Sequence, residues 1–226
     1  MTGFLTRLRA EMAAAADPGK APGMQAYMKS AMPYYGLQSP QVGAICKKVF
    51  AEHPFPSCVE WRAAILELWR SARYREERYV AIRLIYLKKH RECWSPELMP
   101  MLEEMIVGGA WWDYVDALAP VVGELLRSNP IEMRRLMLGW SKDANLWKRR
   151  VSIICQISFR RDTDIALLYA NIEPNLPDRD FFIRKAIGWA LRAYAWTDPK
   201  EVVRYVRAHE AKLSGLSRRE ALKNIG

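Results

Sequence analysis

The sequence predicts an all-α protein, an α-solenoid built from two-helix repeats. Apolar residues recur at three- and four-residue spacing almost throughout, and no stretch of period-two alternation is bounded by turn signals. Turn-forming clusters fall often, at residues 36–40, 54–57, 94–96, 108–109, 129–130, 175–178 and 197–199. They divide the chain into about a dozen helices joined by short loops, the pattern of packed antiparallel neighbours. The third observation is an internal period. The segments Tyr79-Val80-Ala81-Ile82, Val115-Asp116-Ala117-Leu118, Arg150-Val151-Ser152-Ile153 and Arg184-Lys185-Ala186-Ile187 each end in a small residue followed by a branched apolar one, and the small residues lie 36, 35 and 34 positions apart. A period near 35 is the length of a helix pair. Three successive intervals this similar favour a repeat over four chance Ala-Ile pairs, and small residues at one recurring position let helices approach closely.

In chain order, residues 2–17 carry Arg7, Arg9 and Glu11 within an apolar run. That is an amphipathic helix rather than the uncharged core of a signal peptide. No later segment approaches the ~20 apolar residues of a membrane-spanning helix. A chain of 226 residues, half of them hydrophobic, is long enough to bury one core, so a single domain over residues 1–226 is expected. Cys46, Cys58, Cys93 and Cys155 show no C-x-x-C pairing and sit in apolar helical patterns, so they read as buried, reduced thiols in a reducing compartment, the cytoplasm. His53, His90 and His209 lack metal-site spacing, and no metal or other cofactor is expected.

Lys and Arg number 35 against 25 Asp and Glu, a formal charge of +10. Such an excess suits a polyanionic partner, nucleic acid first, although cations dispersed over a solvated surface also serve solubility alone. Arg75, Arg78, Arg149, Arg150, Arg184, Lys185 and Arg192 fall near the repeated position. The curved inner face of a solenoid would then be basic and suited to a duplex backbone.

Two places carry residues suited to chemistry. In Gly109-Ala110-Trp111-Trp112-Asp113-Tyr114-Val115-Asp116, Asp113 suits the first turn of a helix, and Asp116 shares a face with Trp112 four residues earlier. A carboxylate among cations marks a candidate site, and a structural ion pair is the commoner explanation of any single case. Trp189 has Lys185 four residues before it and Arg192 three after, an indole between cations that suits a nucleotide platform. A core tryptophan with snorkelling neighbours is the competing reading. Trp147 with Arg150 repeats the arrangement.

Together Tyr27-Met28-Lys29, Trp111-Trp112-Asp113-Tyr114-Val115-Asp116, Leu146-Trp147-Lys148-Arg149-Arg150 and residues 181–192 resemble the HEAT-like-repeat DNA glycosylases of the AlkD family. The resemblance covers nearly the whole chain, in order and at matching spacing, and the Trp-Trp-Asp-x-Val-Asp element is specific. It implies a HEAT-like solenoid acting on duplex DNA without a membrane or cofactor, as a monomer whose end helices cap the stack. It implies roles too: Asp116 as the catalytic carboxylate, Trp112 and Trp189 flanking the damaged nucleotide, and Arg150 on the backbone near the lesion. Tyr27 would line the same cleft, and Gln38, Lys185, Arg192 and Arg149 would contact the DNA.

The implied reaction suits these residues. A purine alkylated at N3 or N7 is already cationic and leaves without a general acid. The sugar, which gains oxocarbenium character, is what needs an ionised Asp116 and flanking indole faces. The resemblance implies 3-methyladenine and 7-methylguanine as substrates, excised without base flipping, and no base-reading pocket or helix-hairpin-helix motif is apparent in the sequence. The alternative is a non-catalytic solenoid that binds distorted or branched DNA. Against it stands Asp116, since an uncompensated carboxylate facing phosphates would weaken affinity. A scaffold for acidic proteins would leave the paired tryptophans unexplained.

Overall fold

The computed structural model describes residues 2–225, and among them there is no strand. The helices are α1 (Thr2–Ala14), α2 (Ala21–Met28), α3 (Ser39–Glu52), α4 (Cys58–Arg70), α5 (Arg75–Ile85), α6 (Met99–Gly109), α7 (Trp112–Ser128), α8 (Pro130–Trp140), α9 (Leu146–Ile154), α10 (Ile165–Ile172), α11 (Phe181–Ala195), α12 (Pro199–Ala208) and α13 (Gly215–Leu222). Two 3₁₀ segments, Lys88–Cys93 and Pro96–Leu98, interrupt the helical succession between α5 and α6. On either side of that break the chain packs as two compact units, residues 1–94 and 95–226.

In the first unit α3 packs on α1 and α5, and α4 packs on α5. Two adjacent glutamates of α5, both fully buried, organise it. The Glu76 carboxylate accepts hydrogen bonds from the backbone N–H groups of Tyr35, Gly36 and Leu37 at 3.1, 2.9 and 3.1 Å. Glu77 accepts from the Tyr35 hydroxyl at 2.9 Å and from Arg9 at 3.1 Å. Burying a carboxylate is costly unless its lone pairs are filled by such donors. Gly36 has φ +87, and a Cβ there would stand 2.0 Å from the Asp17 carbonyl oxygen, so no other residue fits this turn.

The first unit also corrects the cysteine reading. Cys58, at the start of α4, is disulfide-bonded to Cys93, the two Cα atoms 5.4 Å apart, while Cys46 and Cys155 are free and buried as expected. The sequence pattern hid the bond because its partners lie 35 residues apart.

In the second unit the last five helices each start at a side-chain cap. The side chains of Asn145, Asp164, Asp180, Asp198 and Ser214 accept hydrogen bonds from the first-turn backbone N–H groups of α9, α10, α11, α12 and α13. Helices α7, α9, α11 and α13 stack in succession, while α8 packs on α7, α9 and α10, and α12 packs on α11 and α13. This is the two-layered helix stack of an α-solenoid. The sequence period is its signature: Ala81, Ser152 and Ala186 are fully buried on α5, α9 and α11, and Ala117 is half-buried on α7.

Two glycines set the closest approaches between stacked helices. A Cβ on Gly123 of α7 would lie 2.2 Å from the Cys155 carbonyl oxygen, and one on Gly188 of α11 would lie 2.4 Å from the Glu220 Cβ. Several stitching contacts join residues about one period apart. The Asn175 amide donates to the Ser141 carbonyl across 34 residues, and the Ser217 hydroxyl donates to the Arg184 carbonyl across 33.

Candidate active site

Trp111, in extended conformation, precedes helix α7, and Asp116 stands just over one turn inside it. Arg150 occupies the fifth position of α9, the helix stacked beside α7. Its Nε and Nη2 donate to the two carboxylate oxygens of Asp116 at 2.7 and 2.8 Å, and its Nη1 donates to the Phe182 carbonyl of α11 at 2.5 Å. Three successive helices of the stack thus converge on one guanidinium. Arg150 is only 3% exposed, so this side chain is committed inward.

The rings of Trp111, Trp147 and Phe182 meet at the starts of the same three helices, with centroids 5.1 to 6.4 Å apart. This corrects the reading of Trp147 as an open nucleotide platform: it is buried in an aromatic cluster, and its cationic neighbour Arg150 is turned to Asp116. The Asp116 side chain keeps 19% of its surface in contact with solvent. Burial pushes its carboxyl above the ordinary aspartate range, and the hydrogen bonds and charge of Arg150 pull the other way. An ionised carboxylate has about four lone-pair sites. Arg150 takes one on each oxygen. Asp116 therefore retains acceptor capacity while its orientation is locked.

Asp116 is accordingly compensated, contrary to the expectation of an unpaired carboxylate. The other cations near the repeated position are paired as well. Arg149 donates to the Asp143 and Ala144 carbonyls at 2.8 and 2.9 Å and to Asp178 at 2.9 Å, and Arg184 donates to the Asp178 carbonyl at 3.0 Å. Lys185 and Arg192 share one carboxylate, Glu220 of α13, at 2.6 and 2.5 Å. In the first unit Arg75 donates to the Tyr79 hydroxyl, and the Arg78 guanidinium lies over the Trp69 ring. Four of these seven cations thus face a carboxylate, while Arg75, Arg78 and Arg184 meet neutral partners. A sequence count of charges does not register the pairing, because each of the three carboxylates lies 28 to 35 residues from its cation.

Trp112 is half-buried at the first position of α7, one turn before Asp116. Trp189 lies seven residues beyond Phe182 on α11, roughly 10 Å along the helix. It lines an open cleft of about 680 Å³ with Arg160, Arg192 and Trp196. The structure thus brings Asp116 and Arg150 into direct contact and assigns Trp189 and Arg192 to this cleft. Tyr27 and Gln38 belong to the first unit. Tyr27 is 79% exposed on α2, and Gln38 is exposed at the start of α3, its backbone N–H donating to the Gln41 side chain at 2.9 Å.

Of the nine tryptophans, only Trp112, Trp189 and Trp196 have no aromatic or cationic partner on the ring among the described residues. The first two are the indoles singled out in the sequence. Trp196, the residue that caps α11, draws no attention in the sequence. Its seven-residue spacing from Trp189, which places the two on one side of the helix, is the available signal.

Among the described residues no group of three His, Cys, Asp or Glu side chains is placed to hold a metal ion, and no helix is long and apolar enough to cross a membrane. A family model described as DNA alkylation repair enzyme matches residues 8–225. A solved structure described as a predicted DNA alkylation repair enzyme from Enterococcus faecalis superposes with a TM-score of 0.80 at 29% identity, covering 93% of this chain and 97% of that one. No curated protein matches the chain.

Proposed function

Since the chain belongs to the DNA alkylation repair enzyme family, we propose that it is a DNA glycosylase that hydrolyses the N-glycosidic bond of cationic alkylated purines, 3-methyladenine and 7-methylguanine, in duplex DNA. The observation that carries this reading is the Asp116–Arg150 pair. A carboxylate with lone pairs to spare, clamped by a two-pronged guanidinium and left partly open, suits the stabilisation of a cation that forms beside it. The alkylated base is already a good leaving group, so the reaction asks for no acid. As the bond lengthens, the sugar C1′ gains positive charge, the ionised Asp116 stabilises it, and a water held by the same carboxylate adds to it. The water's proton is released, and the neutral purine departs with the bonding pair.

Arg150 is a positioning residue in this scheme, since its guanidinium is spent on Asp116 and Phe182 rather than on a phosphate. Trp112 and Trp189 supply apolar faces to the nucleotide, each worth about 0.5–2 kcal/mol toward a cationic sugar. Lys185, Arg192 and Arg149 contact the backbone once it competes with their carboxylate partners, and Tyr27 and Gln38 add contacts from the first unit. The absence of any need to protonate the base supports excision without base flipping, and a stack whose end helices cap it suits a monomer. The cytoplasmic setting that goes with this reading rests on the DNA substrate alone, because the Cys58–Cys93 bond removes the argument from reduced thiols.

The test is release of 7-methylguanine from a methylated duplex by the wild type and by Asp116→Asn, with duplex binding measured for both. Release that is lost in the variant while binding persists supports the glycosylase. Binding without release above the spontaneous rate leaves a non-catalytic reader of distorted or branched DNA, a reading favoured by one observation: a carboxylate neutralised by Arg150 no longer opposes phosphate binding.

A further inference from the structure

The cleft that contains Trp189 holds a group of side chains that the proposed chemistry does not use. Trp196 is 76% exposed at the C-terminal end of α11, and its ring has no intramolecular partner among the described residues. A single exposed apolar side chain is ordinary on a protein surface, but this indole lines a cleft beside cations, where its flat face can take a ligand. Arg160 lines the same cleft. Ser158, Arg160, Trp196 and Thr197 also border an adjoining cleft of about 620 Å³ that adds Arg161, and whose one carboxylate, Asp162, is paired with Arg127 at 3.7 Å.

Arg160 and Arg161 are both exposed, and neither guanidinium has a carboxylate or other acceptor among the described residues. They contrast with Arg149, Arg150, Lys185 and Arg192, all of which are paired. Arg160 also has φ +55, a left-handed conformation that a non-glycine residue adopts only under constraint from its surroundings, and such residues cluster at binding sites.

A flat apolar surface beside two unneutralised cations matches a ligand with an aromatic face and adjacent negative charge. In a continuous duplex both faces of every base are covered by its neighbours, so an indole has nothing to stack on. An unpaired nucleotide offers a free face and carries its phosphates with it. We propose that this cleft captures a nucleotide that is already unpaired, its base stacked on Trp196 and its flanking phosphates on Arg160 and Arg161. The site directs the protein to duplexes with a local defect and does not require it to extrude the alkylated purine. This inference rests on the DNA reading above.

The probes are two duplexes of one sequence, one fully paired and one with a single bulged 2-aminopurine, whose fluorescence falls on stacking. The wild type is expected to bind the bulged duplex more tightly and to quench its fluorescence. Trp196→Ala should lower affinity for the bulged duplex by roughly tenfold or more, leave the paired duplex unaffected, and abolish the quench, while Trp196→Phe retains most of each effect. Replacing both Arg160 and Arg161 by alanine should reduce the slope of log affinity against log salt by up to about two on the bulged duplex. Equal binding of the two duplexes by the wild type overturns this inference alone. So does a Trp196→Ala variant that behaves as wild type, or one that weakens both duplexes equally. A wild type that binds neither duplex overturns the DNA reading with it. Because Trp196 is exposed, its substitution leaves the helix stack intact.

Discussion

Gly188 and Glu220 meet at a close approach between α11 and α13, where a Cβ on the glycine would stand 2.4 Å from that of the glutamate. Glu220 is also the carboxylate that holds Lys185 and Arg192, and those two cations keep its pKa below the ordinary glutamate range. Packing and charge are therefore joined at one residue. Gly188→Ala should destabilise the protein by about 1–3 kcal/mol in urea unfolding, because the Ser217 backbone also blocks the added methyl group. Glu220→Gln should instead leave the close approach intact and free both cations. Duplex affinity should rise severalfold and its salt dependence should steepen; unchanged affinity would mean that Lys185 and Arg192 do not face the phosphates.

Asp116→Asn is expected to lower base release by at least about a hundredfold with duplex binding retained. Arg150→Lys separates positioning from bulk. A lysine cannot reproduce the two-pronged contact, so the Asp116 carboxyl, already raised by burial, should rise further.

The direction of that shift fixes the pH response. Base release needs the ionised carboxylate, so the rate falls as pH drops through its pKa. Because that value lies above the ordinary aspartate range, the acid limb should sit at higher pH than an exposed aspartate would give, and higher still in Arg150→Lys. Profiles of kcat/KM for the two proteins decide this. Superimposable acid limbs would remove Arg150 from any role in tuning Asp116.

Glu201 provides a pH test of stability remote from the site. It accepts hydrogen bonds from Arg204 at 2.6 Å and from the Tyr169 hydroxyl at 2.8 Å, which hold its pKa at about 2 against an ordinary 4.5. A carboxyl depressed on folding stabilises the native state above its unfolded pKa and loses that contribution as pH falls toward the folded value. The stability advantage of wild type over Glu201→Gln should therefore shrink between about pH 4.5 and 2. A gap that stays constant across this window would show that the carboxylate is not the source of the difference.

Thiol titration in denaturant should count two free thiols without reductant, Cys46 and Cys155, and all four after reduction. In the native protein neither free thiol should react readily, since burial pushes both up to about 12. Reduction of Cys58–Cys93 should cost about 2–4 kcal/mol of stability in the first unit, read from denaturant unfolding with and without reductant.

The helices and their period were legible in the sequence because they rest on local rules: apolar spacing, turn-forming clusters, and the small residues Ser152 and Ala186 that lie buried where stacked helices meet. The positions of Asp116, Trp112 and Trp189 stood out for the same reason, as aromatic and charged residues in an otherwise apolar rhythm. What the sequence did not reveal is pairing. Arg150 looked like a phosphate contact and is a buried clamp, and Trp147 looked open and is covered by Trp111 and Phe182. Lys185 and Arg192 looked free and share Glu220, and Cys58 looked reduced and is bonded to Cys93. Each partner lies on another helix or segment, beyond the reach of any local pattern.

The one-period contacts have a consequence for how such a chain can change. Asp116 meets Arg150 across 34 residues, Ser141 meets Asn175 across 34, and Arg184 meets Ser217 across 33. Each contact depends on the number of residues between its partners as much as on their identity. Inserting or deleting a single residue inside α7, α8 or α9 rotates one partner by about 100° about its helix axis and separates a pair that substitutions elsewhere would leave untouched. The interval from one stacked helix to the next is thus as much a part of these contacts as the side chains that make them.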